Sequence, residues 1–341
     1  MTTVLDDPFT SIEKRALAEC RPTRAMLELT YRCNFRCVMC YLVEFRSPGE
    51  LSLAEYESVL DQLAELGCLS LTLTGGEPLV RKDFFEIAEA ARRRRFALRI
   101  FSNGSLIDAA CADRLAALQP LSTEISIYGA SDATYAAVTG KGLRVATSMQ
   151  AVRLLRERGL TVVVKMPVIQ QNLSDVDAIH EFALEVGARF LANPNITPKD
   201  NGDFSPLAHA LSDTQIIEYY RQRVPRIPDR VRDPDGLMCN TGRNSLIISP
   251  MGDVFPCVQV KKSVGNVRER RIEDIWRGGV LLDELRQLRV RDYPRQCGTS
   301  SCGTSSCGSQ CAGIAKMATG SFTGGDPLAA RQERLRAEAH R

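Results

Sequence analysis

The sequence predicts an α/β fold: a partial, TIM-like (β/α)6 barrel, open on one side, followed by a small Cys-rich domain. Three observations lead there. From about residue 24 to 196, short β-rich runs alternate six times with longer amphipathic stretches, as in a parallel sheet crossed by helices. Beyond residue 235 the texture changes to hairpin-like runs, one helix and a Cys/Gly/Ser-rich segment. Nine of the 12 cysteines fall into two groups, one near each end of the chain.

The strand runs are residues 26–30, 69–74, 97–102, 123–128, 161–168 and 190–192. Helical patterns cover 53–66, 83–94, 108–118, 146–158 and 174–186. The first places Leu53, Val59, Leu60, Leu63 and Leu66 near helical spacing behind Ser52, an N-cap residue. Gly67, Gly159 and Gly187 follow three of these helices as C-terminal stops. A doubly wound sheet is the competing arrangement, which periodicity leaves open. Residues 212–223 read as a further helix, and a linker with Pro225, Pro228 and Pro234 follows. In the last region, runs 245–249 and 254–260 flank Pro250-Met251-Gly252-Asp253, a hairpin signal, and 272–288 reads as a single helix. The expected organisation is an N-terminal extension (1–23), barrel (24–223), linker (224–235), Cys-rich domain (236–325) and tail (326–341). The Cys-rich domain has few apolar residues, so a metal staple is physically reasonable there.

Composition excludes several classes. Of 341 residues, 44% are apolar and 25% charged, ordinary values for a globular chain. The net charge of +3, from 44 basic and 41 acidic residues, is too weak a bias for a nucleic-acid or membrane-surface partner. No apolar run approaches the ~20 residues of a membrane helix. The start, MTTVLDDPFTSIEKR, has two aspartates where a signal peptide needs a basic end and an apolar stretch. A cytoplasmic location is therefore expected, where 12 cysteines do not read as disulfides. Cys20, Cys68 and Cys111 are scattered and read as incidental thiols; the grouped cysteines read as metal ligands.

Cys33-x3-Cys37-x2-Cys40 follows the first strand, at the end where such barrels place their sites. Three close thiolates suit a [4Fe–4S] cluster, which normally takes four ligands, and leave one iron open. The alternative is a zinc site borrowing a distant histidine; His180, His209 and His340 are all remote in sequence. After strand 2 comes Gly75-Gly76-Glu77-Pro78. Paired glycines admit a ligand close to the backbone, and the glutamate suits an ammonium group. Strand 3 ends in Ser102-Asn103-Gly104, suited to hydroxyls, and strand 4 in Ser126-Ile127-Tyr128-Gly129. Lys165 points from strand 5 towards the site end, either to contact an anionic group or merely to pack its stem there.

C-x3-C-x2-C followed by Tyr41, with GGEP one unit later, resembles the radical S-adenosylmethionine (radical SAM) superfamily across the alternating region. The resemblance implies that Cys33, Cys37 and Cys40 hold three irons of a [4Fe–4S] cluster while the cofactor's methionine moiety chelates the fourth. It implies that Gly75, Gly76, Glu77 and Pro78 line the amino group. Ser102, Asn103 and Ser126 would face the ribose or carboxylate, and Tyr41 and Val168 would lie near the adenine. Lys165 is then a contact for the cofactor carboxylate. The implied chemistry is reductive cleavage to a 5′-deoxyadenosyl radical that abstracts a substrate hydrogen, fed by a low-potential donor of flavodoxin or ferredoxin type.

The second group is Cys239, Gly252-x4-Cys257, then Cys297-x4-Cys302-x4-Cys307-x3-Cys311. Each spacing alone fits zinc about as well as iron–sulfur. Beside the first group it resembles the SPASM extension of radical SAM enzymes, which carries auxiliary iron–sulfur clusters. The chain departs from that pattern: the family usually has C-x2-C-x5-C-x3-C, and a further cysteine where none follows Cys311 here. Family wiring puts Cys239, Cys257 and Cys311 on one cluster and Cys297, Cys302 and Cys307 on another, each one ligand short. Asp326 falls about where the late ligand would. One auxiliary cluster, or a zinc-stapled or disordered Ser/Gly tail, are the other readings.

GRNSLIISPMGDVFPCVQV, running into VGNVRERRIEDIW, resembles the peptide-modifying group, including the glutamate–tyrosine cross-linker of pyrroloquinoline quinone synthesis. The expected function is cross-linking or epimerisation of a ribosomally made peptide. A small-molecule substrate, such as a tetrapyrrole or sugar, is the alternative. Sulfatase maturation ranks lower, because Val258 follows Cys257 where that subfamily has an aspartate. The stretch before strand 1 is too short for an independent leader-gripping domain, so a separate leader-binding protein, or direct binding at the barrel opening, is expected. No general base is assigned; Glu77 and Asp253 lie near the motifs. The arginines at 92–95 read as a solvated helix end, 331–341 as a charged terminal helix or tail, and 197–203 as a solvated turn or a substrate loop.

Overall fold

The computed structural model describes residues 8–142, 144–225, 233–294 and 310–341. Cys297, Cys302 and Cys307 therefore lie outside the described residues. The strands are β1 (Arg24–Glu28), β2 (Ser70–Thr74), β3 (Ala97–Ser102), β4 (Ser122–Ser126), β5 (Val162–Pro167), β6 (Arg189–Asn193), β7 (Ser245–Ile248), β8 (Asp253–Phe255) and β9 (Gly265–Asn266). The helices are α1 (Pro8–Ala18), α2 (Leu53–Glu65), α3 (Phe84–Arg93), α4 (Ala109–Ala117), α5 (Asp132–Thr139), α6 (Val145–Glu157), α7 (Val176–Glu185), α8 (Asp213–Arg223), α9 (Ile272–Arg277), α10 (Val280–Gln287), α11 (Ala312–Thr319) and α12 (Pro327–Ala339). Among the described residues, no helix is long and apolar enough to cross a membrane.

Several helices start at a side-chain acceptor. Ser52 and Glu55 close a capping box on α2, and Ser212 and Gln215 do so on α8. Asp108 accepts from Cys111 N at 2.8 Å to start α4, and Ser131 accepts from Thr134 N at 3.1 Å to start α5. The strands alternate their side chains. Leu27, Leu71, Leu73, Leu98, Ile100, Ile125 and Val164 are buried in one core with Tyr56, Leu60, Ile87, Leu115, Leu155 and Ile179 from the helices. The other face carries Glu28, Phe101, Glu124 and Lys165 at alternate positions.

All nine strands form one sheet in the order β6-β5-β4-β3-β2-β1-β7-β8-β9. The first six are parallel and laid down one after another without a reversal. A doubly wound sheet requires a reversal at a switch point, so that alternative falls and the partial barrel stands. The last region continues this sheet: β7 pairs parallel with β1, from Arg24 opposite Ser245 to Leu27 opposite Ile248. The expected hairpin forms from β7 and β8, turned by Ser249 Oγ, which accepts from Met251 N and Asp253 N. The single helix expected over 272–288 is two helices, α9 and α10, broken at Gly278 and Gly279. Each of two successive glycines loses more backbone freedom in a helix than any other residue would. The tail is a helix docked on the barrel: α12 packs on α8 through Leu335, Tyr220 Oη donates to Gln332 Oε1 at 2.7 Å, and Arg331 and Arg334 both pair with Asp213.

One ion network spans the two regions. Lys261, from the loop after β8, places Nζ 2.9 Å from both carboxylate oxygens of Glu28 at the end of β1. The two side chains are 6% and 0% exposed. Asp200, in the loop after β6, lies 3.5 Å from the same Nζ, and Tyr31 Oη donates to Glu28 at 3.1 Å. Truncating one partner of such a buried pair strands the other charge. Lys261→Ala is expected to lower the unfolding free energy by about 3–5 kcal/mol; a change below about 1 kcal/mol in urea denaturation would show Glu28 to be solvated. Leu335→Ala on α12 is expected to cost about 2–4 kcal/mol, against no change for a tail that only lies on the surface.

Candidate functional site

The Cys33–Cys40 loop leaves the C-terminal end of β1 and is held on three sides. The strand-2 turn holds the first: Gly76 N donates to Thr30 O at 2.7 Å and Glu77 N to Arg32 O at 3.0 Å. A Cβ on Gly75 would stand 2.2 Å from Thr30 O, and one on Gly76 2.5 Å from Arg32 O. Gly75 also has φ +137°. The paired glycines were expected to admit a ligand; the close approach seen here is that of the cysteine loop's own backbone.

The second side is the end of β3. Asn34, between the cysteines, accepts from Asn103 Nδ2 at 2.8 Å and donates to Ser105 Oγ at 2.7 Å. Glu77 ties this side to the glycine turn. Its buried carboxylate accepts from Leu79 N (3.1 Å), Ser102 Oγ (3.0 Å) and Asn103 N (2.7 Å). Burial pushes its acid up to about 7, against the pull of those three donors. The third side is α5, which sequence periodicity did not show. Arg36 N donates to Thr139 O at 2.8 Å, and Val38 N to Val138 O at 3.0 Å. The Phe35 ring meets Tyr135 edge-on at 5.9 Å and Tyr128 at 6.3 Å.

The three thiols of this loop are partly buried. Burial pushes Cys33 up to about 11 and raises Cys40; Cys37 is raised furthest, with repulsion from its two neighbours adding to burial. Among the described residues, no set of three or more His, Cys, Asp or Glu side chains is gathered tightly enough to hold a metal ion. Three soft donors on one loop, mutually repulsive once ionised, are nevertheless the donor chemistry of iron–sulfur ligation, since a cationic iron reverses that repulsion. The residues fit such a group.

The remaining expected positions are as follows. Pro78 is buried and opens a short 3-10 turn. Tyr41 O accepts from Asp200 N at 2.9 Å, and its phenol is raised by burial and by Glu28 and Asp200. Ser126 ends β4, and Val168 is buried just beyond β5, its N–H bonded to Asn193 O at 2.8 Å. Lys165 is paired with Glu124 and sits 3.6 Å above the Phe101 ring. Asp200, pushed up to about 6 by burial and by Glu28, was not anticipated, nor was its partner Lys261. The available signal was Glu28 itself, a charge on a central strand.

In the second group, Cys257 packs against a small core that holds Met238 and Ala312, the chain neighbours of Cys239 and Cys311. Cys239 Sγ donates to Thr241 Oγ1 at 3.1 Å, and Cys257 Sγ accepts from Gln259 N at 3.3 Å. Gly313 lets α11 sit on that turn, since a Cβ there would stand 2.3 Å from Gln259 O. Asp326, the expected late ligand, caps α12: Oδ1 accepts from Leu328 N and Ala329 N, and Oδ2 from Cys311 N at 3.1 Å.

The raised acid of Glu77 has a signed consequence. Its contribution to stability is present below pH 4.5 and is lost as pH rises through about 7, because the folded chain binds the proton more tightly than the unfolded one. Urea midpoints of the cluster-free chain should therefore fall across that window, and Glu77→Gln should flatten the fall. An equal slope in the variant would assign the pH dependence elsewhere.

Residues 27–183 match the radical SAM superfamily, and residues 239–303 match SPASM, an iron–sulfur cluster-binding domain. PqqA peptide cyclase of Rhodopseudomonas palustris is 31% identical over 290 residues, spanning 78% of this chain and 76% of the cyclase. Mycofactocin maturase MftC of Mycolicibacterium smegmatis is 30% identical over 297 residues, spanning 80% of this chain and 74% of the maturase. Streptococcus suis SuiB, solved bound to precursor peptide SuiA, shares the fold with a TM-score of 0.68 at 17% identity, over 90% of this chain and 76% of SuiB. The cofactors that go with these domains are a [4Fe–4S] cluster, S-adenosylmethionine and auxiliary iron–sulfur clusters. The chain belongs to the radical SAM superfamily, as an enzyme with a C-terminal SPASM domain.

Proposed function

We propose that this enzyme abstracts a hydrogen from a ribosomally synthesised peptide and leaves it cross-linked or epimerised. The observation that carries the reading is the likeness to a peptide cyclase over 78% of this chain. On this reading Cys33, Cys37 and Cys40 hold the cluster to which the cofactor binds. That cluster, with S-adenosylmethionine, would supply the one-electron reductive chemistry for hydrogen abstraction.

The chain's own residues bind, orient and exclude water. Glu77 fixes the turn carrying Gly75, Gly76 and Pro78 beside the cofactor's amino group. Ser102, Asn103 and Ser126, at the ends of β3 and β4, face its ribose or carboxylate, and Tyr41 and Val168 its adenine. A cavity of about 640 Å³ opens beyond the ends of β5 and β6, lined by Gln170, Asn195, Ile196, Tyr220 and Arg331 among others. Its walls come from the loop after β6, α8 and α12, and it gives a peptide segment room beside the barrel. A low-potential donor of flavodoxin or ferredoxin type supplies the electron, and a separate leader-binding protein presents the peptide.

The test is co-expression under low oxygen with the short peptide encoded nearest the gene, followed by mass spectrometry. Loss of two hydrogens, or deuterium uptake at one α-carbon in deuterated water, is expected. The combined Cys33→Ala, Cys37→Ala and Cys40→Ala variant should abolish both the change and 5′-deoxyadenosine formation. An untouched peptide beside competent cofactor cleavage would turn the reading to a small-molecule substrate.

A further inference from the structure

Tyr293 is a buried side chain, 6% exposed, whose hydroxyl has no hydrogen-bond partner among the described residues. It belongs to a small core with Met238, Val260, Leu285, Ala312 and Phe322, against which Cys257 packs directly. Met238 precedes Cys239 and Ala312 follows Cys311, so this core touches the chain at all three described thiols of the second group. The phenol lies close enough to Cys239 and Cys311 for their charges to act on it, yet it hydrogen-bonds to neither.

The other oxygens nearby are already committed. Both carboxylate oxygens of Asp326 accept backbone N–H groups, and Thr241 Oγ1 accepts from Cys239. Of the three histidines, His180 stacks on Phe190 and His209 bonds Gln171; His340, whose Nε2 is also unpartnered among the described residues, lies at the far end of α12 from Asp326. A buried hydroxyl with nothing to bond is normally eliminated or satisfied. Here it shares a core with the chain neighbours of Cys239 and Cys311, against which Cys257 packs, and a cluster held by these three thiols takes four ligands.

We propose that Tyr293 is the fourth protein ligand of the auxiliary cluster held by Cys239, Cys257 and Cys311, bound to iron through its phenolate oxygen. On loading, the phenol O–H bond is replaced by an O–Fe bond and one proton passes to solvent; no electron is transferred. A cationic iron favours the phenolate form of such a ligand. Asp326 is then a positioning residue, holding the Cys311 backbone rather than the metal. This assignment does not depend on the nature of the substrate.

The experiment is resonance Raman spectroscopy of the full chain reconstituted with iron and sulfide. A matched sample carries Cys33→Ala, Cys37→Ala and Cys40→Ala, so that only auxiliary iron absorbs. Visible excitation should enhance phenolate ring modes that shift when the chain is made with ring-deuterated tyrosine and disappear in Tyr293→Phe. Mössbauer spectra of the same variant should show one iron site altered and the others unchanged. Because the hydroxyl has no partner in the cluster-free chain, Tyr293→Phe should melt there at or above the parent temperature. The isotope shift needs no substitution at Tyr293 and stands even if that variant misfolds. Absence of tyrosine-derived modes in the unsubstituted chain, their persistence in Tyr293→Phe, or absence of auxiliary iron would each overturn the assignment.

Discussion

The approach of Gly75 and Gly76 to the backbone of Thr30 and Arg32 is the contact on which the rest of the site depends. Neither position has room for a single extra carbon. The contact turns a property of the sheet, the register of β2 against β1, into the position of a loop that must present three sulfurs to one cluster. Glu77 passes the same constraint to β3 through Ser102 and Asn103, and Asn34 returns it to the cysteine loop. The loops after three consecutive strands thus share one set of hydrogen bonds, with α5 closing the far side. Preorganisation of this kind places ligands before the cluster arrives.

Beneath that loop the interior is charged. Glu28 and Lys261 form a buried pair with the half-buried Asp200 beside it, and Glu124 pairs with the half-buried Lys165; Glu28, Glu124 and Lys165 alternate away from the aliphatic core. Buried ion pairs contribute little net stability over apolar packing, and a hydrophobic substitute is often at least as stable. Their effect here is one of placement. Lys261 follows Cys257 by four residues and Glu28 precedes Cys33 by five, so this pair sets the distance between the two cysteine regions.

Much of this was legible in the sequence, and the reasons are local. Six β-rich runs, Ser52 as a cap and the spacing of Cys33, Cys37 and Cys40 all carry their signal within a few residues. What escaped notice depends on distance or on weak periodicity. α5 has only eight residues, of which Tyr135, Val138 and Thr139 are buried, too few to repeat a pattern. The break between α9 and α10 was masked because apolar residues continue across Gly278 and Gly279. Glu28 and Lys261 are 233 residues apart, and no window joins them. The glycine pair was recognised as a place of close approach, but composition does not say whether a ligand or the chain itself draws near.

The parallel pairing of β7 with β1 bears on how such an enzyme can be divided or recombined. A C-terminal region that adds strands to its neighbour's sheet is not a bead on a string. Cutting the chain before β7 would bare the hydrogen-bonding edge of β1, the strand that leads into the cysteine loop, and invite another chain to pair with it. Exchange of the auxiliary region between relatives is therefore constrained at a backbone seam, and a new partner must match β1 in register before any question of ligands arises.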